Sequence, residues 1–512
     1  MLKTTATLAL TIAALALTTA TAATATPATS TASDRTASPV VHTDKGALRG
    51  TLTGTARVFQ GVPYAAPPTA GRRWTAPAPA PGRRGVRDAT RPGAACAQSG
   101  AIGIKGPKSN EENCLFLNVT TPRTVAAAPR PVMVWLHGGD HEDGEGAMYG
   151  AERLAAQGDA VVVTVNYRLG ALGWLGDGNY GLQDQQAALR WVRANAAAFG
   201  GDPRNITLFG ESGGARSVCA NLVSPASAGL FDRAILQSGP CLDDHENLTR
   251  AEALRNAEKL DSKFEKDLRE VGAEQLVAAD DEETRYGPVY GTKLLPRAPR
   301  EAFASGRFNR VPVLHGINRD EETFRIWGAE FAKRIEDPAA TLTDADVRTY
   351  LSQAFGAGAV DRILARYPAS AYGASHGRAL AAAMTDALWG RTAVDTNRAL
   401  GARTQTYAYE FAEAENPWFK DLPRGSFPVG APHLAELPYL FDLGWAEPLN
   451  TTQQALSASL IDTWSDFART GRAAWKPYTP AAPSVRSLSS AGPRPTDFEG
   501  GHKYPFWKEL LG

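Results

Sequence analysis

Six residues near the middle of the chain have the types and spacing to do chemistry: Phe209-Gly210-Glu211-Ser212-Gly213-Gly214. An apolar, β-branched run holding Ile206 and Leu208 precedes them, and a helix-compatible stretch, Ala215-Arg216-Ser217-Val218, follows. Strand, sharp turn and helix with a serine at the apex lift a hydroxyl above a sheet edge, and glycines on both sides admit the tight backbone. A hydroxyl is a poor nucleophile near neutral pH. The serine therefore needs a base, the base an orienting acid, and the oxyanion formed on attack a set of donors.

Donors are expected from His137-Gly138-Gly139-Asp140, directly after a strand ending at Leu136, and from the N–H of Gly213. The base must be one of eight histidines. His42 and His502 lie near the two ends of the mature chain, and His245 and His376 in hydrophilic segments. His137 and His141 flank the glycine loop, and His315 ends a strand. His433, in Gly430-Ala431-Pro432-His433-Leu434-Ala435-Glu436, stands in a loop entering an amphipathic helix. It satisfies the α/β-hydrolase order of nucleophile, acid, histidine, with an acidic strand exit before it. That exit is Val311-Pro312-Val313-Leu314-His315-Gly316-Ile317-Asn318-Arg319-Asp320-Glu321-Glu322, and any of its three carboxylates could be the acid.

The elements that must hold these groups read as one continuous α/β pattern. Strands are expected at 57–62, 131–136, 160–165, 206–209, 233–237, 311–316 and 405–410, with a helix over 183–199. Unbroken apolar runs such as Ala160-Val161-Val162-Val163-Thr164-Val165 suit strands buried on both faces of a mostly parallel sheet. Strands alternating with helices argue a doubly wound, twisted central sheet flanked by helices. Helix-prone segments over 251–280 and 341–403 are expected to include a cap beside the sheet, roughly 325–425. Pro/Gly clusters at 63–82 and 476–495 read as surface loops.

The chain has 512 residues, 43% hydrophobic and 21% charged, with formal net charge zero. That supports a large core, and no basic run or charge block points to nucleic acid. Residues 1–25, with Lys3 ahead of an apolar core from Leu8 to Leu17 and small residues beyond, read as a cleaved secretory signal. Residues 26–38 read as a disordered leader, and 39–512 as the folded domain. No later segment is apolar enough for a stable membrane insertion. Four cysteines in a secreted chain imply two disulfides out of three possible pairings. The local pairing, Cys96–Cys114 with Cys219–Cys241, is the simplest.

Ordered motifs now carry a resemblance over about 40–507. They are Phe59-Gln60-Gly61-Val62-Pro63-Tyr64-Ala65, Glu112-Asn113-Cys114-Leu115-Phe116-Leu117-Asn118, the glycine loop, Asn166-Tyr167-Arg168 and Asn179-Tyr180-Gly181-Leu182-Gln183-Asp184-Gln185. After the serine motif come Phe231-Asp232-Arg233-Ala234-Ile235-Leu236-Gln237-Ser238-Gly239, the acidic turn, the His433 loop and Trp464-Ser465-Asp466-Phe467-Ala468-Arg469-Thr470-Gly471. The chain resembles the type-B carboxylesterases, the cholinesterase-like α/β hydrolases. The resemblance implies an α/β-hydrolase fold and hydrolysis of small-molecule carboxylic esters with no cofactor or metal. It implies Ser212 as nucleophile, Glu321 as acid and His433 as base. It also implies backbone donors at Gly139, Asp140 and Gly213, supports the Cys96–Cys114 pair, and makes Glu211, Ser238 and Glu436 supporting residues.

The chain departs from that pattern in three places. Gly213 replaces a common alanine, Glu322 follows the acid where glycine is usual, and Asp140-His141-Glu142-Asp143 replaces a small residue and an aromatic. The acidic loop is expected to turn its side chains to solvent and keep its backbone role. If its carboxylates instead face the site, they oppose a developing oxyanion and favour cationic esters. Two other classes follow from the same residues: a catalytically silent binding protein, and a metal-dependent activity ligated by the acidic loop.

Overall fold

Strand Arg130–Leu136 shows how the sequence sorts itself: every residue in it is buried. Side chains alternate between the two faces of a strand. Val132, Val134 and Leu136 join one apolar core, with the helices Tyr180–Asn195 and Gly213–Val223. Met133 and Trp135 join a second, against helix Thr451–Thr470. Each fully buried valine or leucine contributes about 1.5–3 kcal/mol. Two-sided burial of this kind is what a parallel sheet covered by helices requires.

The computed structural model describes residues 38–100, 106–244, 246–280 and 284–512. The signal segment, the leader up to residue 37 and His245 lie outside the described residues. Among the described residues the central sheet has eleven strands. In spatial order its middle runs Thr406–Phe411, Val313–Asn318, Arg233–Gln237, Gly201–Glu211, Arg130–Leu136 and Val161–Val165, all paired in parallel. Phe116–Pro122, Ala56–Pro63 and Thr51–Leu52 extend one edge antiparallel. Val485–Leu488 adds in parallel to the other edge and Arg494–Thr496 closes it antiparallel. The expected class, an α/β-hydrolase sheet flanked by helices, is the observed one.

Two expectations change. The 476–495 stretch is not only loop, since Val485–Leu488 and Arg494–Thr496 are edge strands. Prolines and serines mask them in the sequence, and the ladder from Thr406–Phe411 supplies what local propensity lacks. Phe116–Pro122, not expected as a strand, is one. Helices Thr323–Glu336, Asp344–Phe355, Val360–Arg366 and His376–Met384 pack around their own core of Trp327, Leu351, Ile363 and Leu380. Both local disulfides, Cys96–Cys114 and Cys219–Cys241, are formed. Among the described residues no helix is long and apolar enough to cross a membrane.

Candidate active site

The serine turn is tight because three backbones meet there. Ser212 follows strand Gly201–Glu211 and caps helix Gly213–Val223 at φ 55°, ψ −124°, a conformation a non-glycine residue holds only under constraint. A Cβ on Gly214 would sit 2.0 Å from the Leu136 carbonyl oxygen, and one on Gly210 2.6 Å from the Gly214 carbonyl carbon. These two glycines are needed for close approach, since neither has positive φ. The Ser212 N–H donates to the Gln237 carbonyl at 3.0 Å. Its side chain sits at the crest, with the residue 6% exposed.

The histidine and the acid arrive on neighbouring loops. His433 Nδ1 lies 2.6 Å from Glu321 Oε2, and the His433 N–H donates to the Glu321 carbonyl at 3.1 Å. The other Glu321 oxygen accepts the Asn318 N–H at 2.8 Å. A further chain fixes the turn from behind. Asn318 Nδ2 donates to Glu436 at 2.7 Å, Gln237 Nε2 donates to the other Glu436 oxygen at 3.0 Å, and Trp464 Nε1 donates to Gln237 at 2.9 Å. The acidic turn therefore sorts its carboxylates by partner. Asp320 accepts from Arg319 and from the Ala431 N–H, Glu321 meets His433, and Glu322 accepts Trp389 Nε1 at 2.8 Å. Trp389 in turn lies 4.9 Å from the His433 ring, centroid to centroid.

The second imidazole nitrogen also meets a carboxylate. His433 Nε2 lies 3.1 Å from Glu211 Oε1, so the ring sits between two buried carboxylates. Burial opposes a charged imidazole, but Glu211 and Glu321 outweigh it and hold the pKa up to about 10. Burial also pushes the Glu211 carboxyl well above its ordinary range, the nearby Glu436 and Glu321 adding to it against His433. Glu211 and His433 are thus coupled through charge at 3.1 Å, with no hydrogen bond to either Glu211 oxygen among the described residues.

Beyond strand Arg130–Leu136 the chain turns through three left-handed residues, Gly139 at φ 98°, Asp140 at 54° and His141 at 65°. The turn lays the loop on the start of the serine helix. A Cβ on Gly213 would be 3.0 Å from the Asp140 nitrogen and 3.3 Å from the His141 nitrogen. Gly213 is the first helical residue, so its N–H has no carbonyl one turn back to donate to. The three expected donor residues are therefore brought together beside Ser212.

The loop's side chains depart from the expectation that all turn to solvent. Asp140 does, with a side chain 57% exposed that pairs with Arg216 at 3.3 Å. His141 and Asp143 are buried: His141 Nε2 lies 3.1 Å from Ser217 Oγ, and Asp143 accepts the Gly100 N–H at 3.2 Å. Burial holds the His141 pKa down to about 3, so the ring is neutral and cannot add charge. The side chains of the acidic loop diverge, and among the described residues no group of three or more His, Cys, Asp or Glu could hold a metal ion.

Three other histidines have structural partners. His137 stacks on Tyr167, His315 contacts Asn397, and His502 lies between Asp386 and Glu410. Ser238 is buried near the site, but its hydroxyl makes no hydrogen bond among the described residues. Sequence reasoning did not single out Gln237, Asn318 or Trp464 individually, although each lies in a stretch carrying the resemblance. Trp389 and Arg216 had no such signal.

The profile described as "Carboxylesterase family" matches residues 37–507. The chain belongs to the carboxylesterase family. It is a carboxylic-ester hydrolase of that family, in which a Ser-Glu-His triad is characteristic. It is 34% identical over 465 residues to para-nitrobenzyl esterase of Bacillus subtilis, covering 84% of this chain and 90% of that one. It is 36% identical over 431 residues to phenmedipham hydrolase of Pseudarthrobacter oxydans, covering 79% and 82%. A solved thermophilic PNB esterase superposes with TM-score 0.76 at 29% identity, over 92% of this carboxylesterase and all of that chain.

Proposed function

We propose that this carboxylesterase is a secreted serine esterase acting through an acyl-enzyme on Ser212. His433 is the base, Glu321 the acid that orients it, and the N–H groups of Gly139, Asp140 and Gly213 receive the oxyanion. The observation that carries the reading is the 2.6 Å pairing of His433 with Glu321 beside a strained serine at a strand–helix turn. The Ser212 oxygen bonds to the ester carbonyl carbon as His433 Nε2 takes its proton. The bond to the alcohol oxygen then breaks as the imidazolium returns that proton to it. Water, deprotonated by the same nitrogen, attacks the acyl-serine, and the serine oxygen leaves with the proton.

During attack His433 Nε2 takes the proton of the neighbouring Ser212 hydroxyl, and Glu211 at 3.1 Å favours the imidazolium that forms while Glu321 orients the ring. The N-terminal signal pattern and the two disulfides support secretion.

A fluorophosphonate should label Ser212 stoichiometrically and abolish hydrolysis of p-nitrophenyl esters, and Ser212→Ala should lose both. Retained hydrolysis in Ser212→Ala would refute the assignment. Edman sequencing of the protein from culture medium should begin beyond residue 19, and an intact Met1 would refute secretion by cleavage.

A further inference from the structure

One face of the serine helix meets the glycine loop. Gly213, Arg216 and Ser217 stand at i, i+3 and i+4 of helix Gly213–Val223, the spacing that stacks residues on one side. The loop Gly139–Asp140–His141 lies on that side. Gly213 has no side chain to lift the loop away, and its Cβ would come within 3.0 Å of the Asp140 nitrogen. Two successive loop residues then grip two successive helix residues. Asp140 Oδ1 lies 3.3 Å from Arg216 Nη1, and His141 Nε2 lies 3.1 Å from Ser217 Oγ. Gln185 Nε2 donates to the same Ser217 hydroxyl at 2.9 Å and steadies the inner grip. The outer grip is steadied by Glu246, whose Oε2 lies 3.2 Å from the same Arg216 nitrogen. The Arg216 side chain is 18% exposed and that of Asp140 57%, so solvent partly screens the pair.

We propose that Arg216 is a positioning residue for the oxyanion hole: through Asp140 it holds the left-handed peptide whose N–H receives the oxyanion. The proposal rests on the reading of Ser212, Asp140 and Gly213 given above. Left-handed aspartate, here at φ 54°, is held in place by its surroundings. Arg216 supplies that constraint from the helix that also carries the nucleophile, so donor and nucleophile keep their spacing. The guanidinium also offsets the Asp140 charge. Asp140 therefore supports turnover through this contact instead of depressing it.

The test compares Arg216→Gln, Arg216→Lys, Asp140→Asn and the Arg216→Gln/Asp140→Asn double variant. Each is normalised to sites titrated by fluorophosphonate. Arg216→Gln should lower kcat on a neutral p-nitrophenyl ester about tenfold with KM within about twofold, as expected for a donor shifted but not lost. The Ki of a trifluoromethyl ketone, whose hemiketal oxyanion needs the same donors, should rise by a similar factor. Arg216→Lys should recover part of the loss. The double variant should be no slower than about twofold below the worse single variant, because both remove one contact. A parent enzyme that titrates fully while Arg216→Gln keeps kcat and ketone Ki within twofold overturns the inference and leaves the reading of Ser212 intact. Multiplicative losses in the double variant overturn it too. A parent whose Ser212 takes no label sinks both.

Discussion

Glu211 precedes the nucleophile in the chain and meets the base in space. Its carboxylate favours the charged imidazole at 3.1 Å, so removing that charge must lower the His433 pKa. Glu211→Gln should therefore shift the acid limb of the kcat/KM–pH profile to lower pH, since the neutral base is then available earlier. A limb that stays in place or moves up would contradict the assignment. The neighbouring acids should separate cleanly. Glu321→Gln should lower kcat by about 10³–10⁴ through loss of the imidazole's orientation. Glu322→Gln, which keeps an oxygen for Trp389 Nε1, should stay within about threefold. Steady-state kinetics on one ester decide it, and a larger loss at Glu322 would reassign the acid. At this scale the sequence named the groups that touch, because motif order carries them. The state of the base was not legible: that His433 faces Glu211 depends on how two loops 222 positions apart along the chain (433 − 211) meet at the sheet edge.

Elements behind the triad are held by a second ionic cluster. His502 Nδ1 lies 2.6 Å from Asp386 and Nε2 2.8 Å from Glu410, all buried, and the Tyr367 hydroxyl donates to Asp386 at 2.6 Å. Asp386 belongs to the π-helical turn Thr385–Gly390, which also carries Trp389 against His433. The C-terminal helix Tyr504–Leu511 follows His502 directly. Burial opposes a charged His502, but the bonds to Asp386 and Glu410 outweigh it and hold the pKa up to about 10. The unfolded value is about 6.5. A raised folded pKa means this stabilisation is full below about pH 6.5 and is lost as pH climbs to 10. The thermal midpoint should thus fall between pH 7 and 10. His502→Gln, which leaves buried Glu410 without its cation and Asp386 with Lys503 alone at 3.3 Å, should cost about 3 kcal/mol at pH 7 and lose most of that pH dependence. Calorimetry across this range checks it, and an equal slope in both proteins would contradict it. Nothing in the hydrophilic stretch Gly501-His502-Lys503 signalled this, because its partners lie 116 and 92 residues away.

For the whole molecule, apolar runs and turn residues were enough to place the central strands, since a strand buried on both faces is nearly all apolar. The edges were missed where pairing with a neighbour, not composition, makes the strand. Of three possible cysteine pairings the local one was the simplest, the resemblance supported Cys96–Cys114, and both local bridges are formed. Each disulfide spans a short separation, 18 and 22 residues, and should stabilise by about 3 kcal/mol in the chain-entropy model. Cys219–Cys241 joins the serine helix to the exit of the next strand. Cys219→Ala/Cys241→Ala should therefore lower the thermal midpoint while leaving kcat per titrated site within about twofold. Peptide mapping that found a cross pairing would overturn the assignment.

The central claim, an acyl-enzyme on Ser212, is tested most directly by rapid acid quench during hydrolysis of p-nitrophenyl acetate, followed by mass spectrometry of the peptide containing Ser212. The account predicts a burst of p-nitrophenol stoichiometric with enzyme and one acetyl group on Ser212 in the same time window. It predicts neither in Ser212→Ala. Full turnover with an unmodified Ser212, or an acetyl group carried on another residue, would contradict it.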